Sequence, residues 1–391
     1  MNADRIPFNK PYLSGKELEY ITSAHRNGHL AGDGPFTARC HQWLENGIGC
    51  MRALLTHSGT AALEMSALLL DIQPGDEIIM PPFTFVSTAN AFVLRGGIPV
   101  FVDIREDTLN IDETLIEEAI TPRTRVIVPV HYAGIACEMD SINAIAARHG
   151  LSVVEDAALG FMSSYKGRKL GGIGHLGACS FHETKNVISG EGGALLVNTP
   201  ELITRAEIIR EKGTDRGRFI RGEVDKYTWQ EVGSSFLPGE LTAAFLLAQL
   251  EAATHINEVR VETWNRYHAS LAAAEAGGLL RRPAVPPECI HNGHIYYVLL
   301  PTGVDRKEVI DALKCARIDV AFHYVPLHDS PAGRRHGRTH GRLEKTEKLA
   351  QRLLRLPLWI GISPTQQEEV CQGLVRALEN AARNGIGKAG G

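Results

Sequence analysis

Residues 180–197, SFHETKNVISGEGGALLV, set Lys185 among polar and glycine residues between two apolar runs. Asp156 lies 29 residues earlier, where Glu155 and Asp156 close the apolar run LSVVED. Open α/β sheets present functional groups at the carboxyl ends of their strands, and both acids stand at such an end. Taken singly, a carboxylate there also caps the following helix, and a lysine there is also an ordinary surface residue. As a pair they fit one cofactor. Pyridoxal phosphate (PLP) needs a lysine amine to hold its aldehyde, and a carboxylate against the ring nitrogen that keeps it protonated, so that the ring acts as an electron sink.

Such a cofactor also needs a phosphate site and a wall for its ring. HSGTAALEM places Ser58, Gly59, Thr60 and Ala61 at the start of an amphipathic helix, where free amides and the positive end of the dipole bind a dianion. The same residues also read as a plain N-cap. Ser180 adds a hydroxyl five residues before the lysine, and Phe85 in PPFTFVSTANA reads either as core or as a ring stacked on the pyridine. Gly172, Gly174 and Gly177 satisfy G-x-G-x-x-G, a dinucleotide signal only where it follows a strand and opens a helix. Here the context is inverted, so these glycines read as a loop close to the sheet.

The elements that must position these residues alternate along the chain. Strands are expected near 77–81, 98–103, 125–130 and 151–155, with helical segments between them, which is the pattern of a helix-covered, doubly wound parallel sheet. A helical pattern runs from Pro238 to Ala274; HIYYVLL, a helix near 305–316 and RIDVAFHY then suggest a smaller α+β unit. The 391 residues are expected to form a large cofactor domain, 1–250, whose N-terminal segment can pack on a small domain, 251–391. SPAGRRHGRTHGR (330–342) reads as a mobile surface loop or as a phosphate contact, and the tail NGIGKAGG as disordered.

Composition narrows the class. With 44% hydrophobic and 22% charged residues and a net charge of −4, the chain reads neither as disordered nor as a general polyanion binder. Seven scattered cysteines without a C-x-x-C pair, and histidines without H-E-x-x-H spacing, indicate neither a disulfide framework nor a metal site. The start lacks a signal-peptide core and no run approaches a membrane span, so a cytoplasmic enzyme acting on small molecules, with no nucleic acid or membrane partner, is expected.

SGTAALEMSALLL, PPFTFVSTANA, VIVPVHYAGIACEMD, VVEDAA, SFHETKN, EGGA, HYVPLH and LLRLPL together resemble the PLP-dependent sugar aminotransferases of the DegT/DnrJ/EryC1/StrS family, of fold type I, from about residue 6 to 380. AGDGPFT, NIDETLIE, EIIREKGT, VDKYTW and GSSFL resemble the members that aminate C4 of dTDP-4-keto-6-deoxy-D-glucose to the galacto product. The resemblance implies Lys185 as the cofactor-bearing lysine, Asp156 at the ring nitrogen, Phe85 on the ring, and Thr60, Ala61 and Ser180 at the phosphate. It also implies L-glutamate as donor, cycling with pyridoxamine phosphate, and a homodimer whose sites share the GSSFLPGEL stretch. Ser235 and Leu237 stand there where many members carry Asn and Arg, and Leu159 where they carry Gln or His. The sugar groove is expected at Asn9, Tyr12, Gly32, Asp33, Gly34, His182, Tyr324 and His328. A C3 aminotransferase of the same family and a non-catalytic PLP-binding sensor are the rival readings.

Overall fold

The computed structural model describes residues 5–388. Its largest sheet contains β1 (Arg52–Thr56), β2 (Glu77–Met80), β3 (Ile98–Phe101), β4 (Thr124–Ile127), β5 (Ser152–Asp156), β8 (Leu176–Ser180), β9 (Gly193–Val197) and β12 (Arg338–Thr339), in the order β1-β9-β8-β5-β4-β2-β3-β12. β9 runs antiparallel to both neighbours; the other pairs are parallel. Strands such as EIIM and GALLV are buried at every position, as a sheet covered by helices on both faces demands. Four of these strands fall where the alternation of the sequence places them.

Two small sheets complete the frame. β6 (Ser164–Tyr165), β7 (Arg168–Lys169) and β10 (Cys289–Ile290) form one, and β11 (Tyr296–Leu299) pairs with β13 (Leu353–Leu356) in the other. The β11–β13 ladder packs with Trp264, Tyr267, Leu313, Leu374 and Ile6 into a separate core. Ile6 bridges Ile318, so the start of the chain lies on this C-terminal unit. The helical run expected from Pro238 to Ala274 is present as Glu240–Glu251, Ala253–Ser270 and Ala272–Ala276, broken at Ala252 and Leu271.

The basic segment 330–342 is not a mobile loop. Ser330 caps a helix, Pro331–His336, with its hydroxyl on the Gly333 amide, and β12 then joins the edge of the main sheet beside β3. Arg338 reaches the buried Glu77, which also pairs with Arg123. Burial alone would push the Glu77 carboxyl up, but hydrogen bonds from Arg338, Thr121 and Arg123 bring it to about 2. That arginine is committed to the sheet edge rather than to a phosphate. At the C-terminus, the helix Pro364–Lys388 runs into the tail expected to be disordered; residues 389–391 lie outside the described residues.

Candidate active site

β5 ends in two acids that part company because successive side chains on a strand point to opposite faces. Glu155 accepts the amides of Gly171 at 2.8 Å and of Ile173 and Gly174 at 2.6 Å, and meets His131 Nε2 at 2.9 Å. It fixes the glycine loop against the sheet, the role that the inverted fingerprint suggested. A Cβ on Gly177 would fall 2.2 Å from the Gly171 carbonyl. Asp156 faces the other way, into a cavity of about 650 Å³. Thr88 Oγ1 donates to its Oδ2 at 2.7 Å and the Ala158 amide to its Oδ1 at 3.1 Å, which holds the carboxylate in one orientation with acceptor capacity to spare.

Lys185 lines the same cavity from the turn between β8 and β9. Its amide donates to the His182 carbonyl at 2.9 Å. The next residue ties this turn to the C-terminal unit: Asn186 Nδ2 donates to the Asn292 carbonyl at 2.8 Å, which leaves its Oδ1 to meet His294 Nδ1 at 2.9 Å. That oxygen only accepts, so His294 Nδ1 carries the hydrogen. Burial, with Lys185, Arg260 and Arg355 nearby, holds the His294 imidazole well below its usual range and therefore neutral.

Burial is also the largest influence on the Lys185 ammonium. Asp156 opposes it and Arg355 adds to it, leaving the group at about 8 instead of 10.5. Only the neutral amine attacks a carbonyl carbon. The rate at which cofactor-free protein captures PLP should therefore rise with pH through about 8 and level off above it, which stopped-flow absorbance against pH measures. Linkage has the matching sign. Between about 8 and 10.5 the unfolded chain holds more protons on this lysine than the folded one, so the burial penalty is full below that window and fades as pH rises through it.

The phosphate cradle is built on close approach. Ser58 caps the helix Gly59–Leu69, its Oγ taking the Ala61 amide at 3.0 Å and its carbonyl the Ala62 amide at 3.3 Å. The amides of Gly59 and Thr60, both at the cavity wall, are left for a ligand. Thr60 and Ser87 share a hydroxyl bond of 2.7 Å beside them, and Ser180 closes the group from the end of β8. A Cβ on Gly59 would lie 2.9 Å from Ser180 Cβ, and one on Gly193 2.3 Å from the Ser58 carbonyl carbon. Gly59→Ala should push the helix start off β8 and weaken PLP binding about tenfold, or ~1.4 kcal/mol, as a raised Kd in fluorescence titration. The donor set fits PLP: free amides and hydroxyls for a phosphate, a fixed carboxylate for a ring nitrogen, and an amine of lowered pKa for an aldehyde.

Phe85 stands at the wall with 58% of its surface exposed, 6.5 Å from the Tyr324 ring, so it is an available face rather than core. Asn9, His182, Tyr324 and Leu159 line the cavity as well. Other expected residues do not. Ala61 is enclosed in the helix and contributes its amide to the Ser58 cap. Tyr12 packs beside the helices, its carbonyl taken by Gln249. Gly32, Asp33 and Gly34 lie away from the cavity because the buried Glu240 carboxylate caps the helix Pro35–Ile48 through the amides of Gly34, Phe36 and Thr37. A Cβ on Gly34 would meet Glu240 at 2.5 Å, and Asp33 pairs with Arg210 at 2.7 Å. His328 turns to Glu347 at 3.3 Å, and Ser235 is exposed on a bridge to Glu211.

Sequence reasoning missed Thr88, Ser87, His294, Arg260 and Arg355. Arg355 leaves the clearest trace, a charge inside the apolar run LLRLPL. Thr88 stands one helical turn after Thr84 and shares a hydroxyl bond with it at 2.8 Å.

A mostly parallel sheet covered by helices, with a lysine, a carboxylate and a helix-end anion cradle meeting at its strand ends, defines a fold type I PLP enzyme. Residues 11–375 match the model of the DegT/DnrJ/EryC1/StrS aminotransferase family, and the chain belongs to that family. The Bacillus subtilis spore coat polysaccharide biosynthesis protein SpsC is 34% identical over 380 residues, 94% of this chain and 96% of that one. Spr1654 of Streptococcus pneumoniae, a protein described as a sugar aminotransferase and solved in apo, PLP and PMP forms, superposes in the apo form with a TM-score of 0.90 at 25% identity, covering 98% of this chain and all of that one. S. venezuelae DesV, solved with a ketimine intermediate, gives 0.87 at 30% identity over 96% of this chain and 99% of that one. The protein is a PLP-dependent aminotransferase. Among the described residues no helix is long and apolar enough to cross a membrane.

Proposed function

We propose that this aminotransferase moves the amino group of L-glutamate to C4 of dTDP-4-keto-6-deoxy-D-glucose, giving dTDP-4-amino-4,6-dideoxy-D-galactose or its gluco epimer. The observation that carries the amino transfer is that Lys185 and Asp156 line one cavity together with Gly59 and Thr60. A sugar acceptor is supported by the descriptions of SpsC and Spr1654, and C4 by the segments AGDGPFT through GSSFL. Bound PLP supplies a protonated pyridine ring that takes up the electron pair left when a proton departs from the carbon next to nitrogen. Lys185 Nζ moves that proton, since an amine near 8 is partly neutral to accept it and partly charged to return it. Asp156, aimed by Thr88 and Ala158, holds the proton at the ring nitrogen.

Gly59, Thr60 and Ser180 are assigned to the phosphate, Phe85 to the ring face, and Asn9, His182 and Tyr324 to the sugar. Ser235, exposed on this chain, enters through a cytoplasmic homodimer with shared sites, and we place the large domain at 1–250 and the small at 251–391. Incubation with L-glutamate and dTDP-4-keto-6-deoxyglucose, followed by nuclear magnetic resonance of the product, tests the assignment. An amine at C4 is expected. An amine at C3 from the 3-keto isomer, or a cofactor spectrum that glutamate leaves fixed, as in a sensor, would overturn it.

A further inference from the structure

The residue after the lysine fixes one imidazole of the cavity wall. Both hydrogens of the Asn186 amide are spent, on the Asn292 carbonyl at 2.8 Å and on Asn257 Oδ1 at 3.4 Å, so its oxygen is turned to His294 Nδ1. The His294 backbone is pinned as well. Its amide donates to Asn292 Oδ1 at 3.0 Å and its carbonyl accepts from Arg260 Nη2 at 2.6 Å, while Asn292 Nδ2 holds the carbonyls of Leu159 and Phe161, both at 2.9 Å. The lysine turn, the loop after Asp156 and the C-terminal unit meet at this ring. With its hydrogen on Nδ1, the neutral ring keeps a lone pair on Nε2, in a residue that lines the cavity near Lys185.

Most of the other charged and titratable groups around the Lys185 ammonium cannot accept a hydrogen bond from it. Arg260 and Arg355 carry only donors. His323 takes the Tyr132 phenol on Nδ1 at 3.1 Å, and burial, with Arg355 and Lys185 nearby, keeps it neutral, so its own hydrogen sits on Nε2 as a further donor. Asp156 attracts the ammonium, but it is the group assigned to the ring nitrogen, and Thr88 and Ala158 already aim it. Glu191 stands exposed, with His182 at 3.7 Å. We infer that His294 Nε2 is the acceptor that holds the Lys185 ammonium whenever the cofactor carries the substrate's nitrogen instead of the lysine's, an inference that rests on the amino-transfer reading above. His294 is then a positioning residue, acting through the lysine. A freed lysine has a flexible four-carbon stem, and an acceptor of fixed tautomer returns it to one place after each proton transfer. The same bond favours the charged form and makes Lys185 a stronger base than burial alone would leave it.

Two substitutions separate the two nitrogens of the ring. His294→Asn places an amide nitrogen where Nδ1 stands, keeping the bond to Asn186 and losing the Nε2 acceptor; His294→Gln brings an oxygen to the Nε2 position and loses the bond to Asn186. Each protein is loaded with pyridoxamine phosphate, which leaves Lys185 free, and the neutral fraction of Lys185 is followed against pH by competitive labelling with acetic anhydride and peptide mass spectrometry. In His294→Asn the labelling midpoint is expected about one pH unit below wild type, the size of effect a hydrogen bond to a charged group carries. The half-reaction of its holoenzyme with L-glutamate, read by stopped-flow absorbance, should be about tenfold slower. His294→Gln should hold both near wild type. The reverse ranking, with His294→Gln impaired and His294→Asn unaffected, would show that the ring serves only to hold Asn186 and overturns the inference. A midpoint that moves in neither variant also overturns it and leaves the ammonium to the Tyr324 phenol. Labelling needs no turnover, so it reads the lysine even where wild-type holoenzyme reacts with no α-amino acid, a result that would overturn the amino-transfer reading itself. Matching melting temperatures for wild type and both variants keep misfolding out of the comparison.

Discussion

Lys185→Ala should lower turnover by at least about 10⁴-fold and leave the fold intact. On the proposed reading the variant loses both the nucleophile that holds the cofactor and the base that moves the proton, and the second alone is worth roughly 10²–10⁴. The fold has little to lose. The hydrogen bond that places the residue is made by its backbone amide to His182, and alanine keeps it. The side chain is an amine drawn down to about 8 chiefly by burial, so removing it relieves a charge that the folded state disfavours. A melting temperature equal to or above that of wild type is therefore expected, together with loss of the visible absorbance of covalently held cofactor. Turnover retained in this variant would take Lys185 out of the chemistry.

What was legible from sequence follows from how far each signal travels. Strand and helix alternation is local, and so is the pairing of an apolar run with an acid at its end; β2 to β5 and the Lys185–Asp156 pair were therefore readable. Glu155 and Asp156 also divide by strand alternation alone. The failures involve partners far apart in the chain. Gly32–Gly34 read as a groove because nothing local announces that Glu240 caps that helix from 206 residues away. The segment 330–342 read as a solvated loop because its basic residues hide an edge strand whose counter-ion is Glu77. His328, one turn past the strand-like HY, was drawn toward the groove by proximity in sequence, while the fold turns it to Glu347. Arg355 was passed over because an apolar run containing one charge reads as a strand, and only the antiparallel ladder with β11 sets that charge over the cofactor cavity.

Asp156→Asn is expected to cut turnover by about 10³-fold while PLP stays bound. The carboxylate contributes through charge, and removing one well-placed electrostatic group from a closed site costs roughly 10²–10³ in rate. An amide cannot hold a proton on the ring nitrogen, so the ring loses its capacity to take up the electron pair. The change is sterically mild, and the surrounding hydroxyls can absorb it. The Ala158 amide still finds an oxygen, and if the new amide nitrogen faces Thr88, that hydroxyl accepts instead of donating and passes its own hydrogen to Thr84, 2.8 Å away. Binding should persist because the Gly59–Thr60 amides and Lys185 are untouched. Cofactor content by absorbance, kcat with saturating glutamate, and melting temperature read the three parts separately. A kcat within about tenfold of wild type would mean that the ring nitrogen keeps its proton without Asp156. Thr88→Val gives the graded comparison: it leaves the carboxylate charged but frees Oδ2 to turn, so its loss should fall between wild type and Asp156→Asn, and equality with Asp156→Asn would show that orientation, not charge, is what the threonine-held carboxylate contributes.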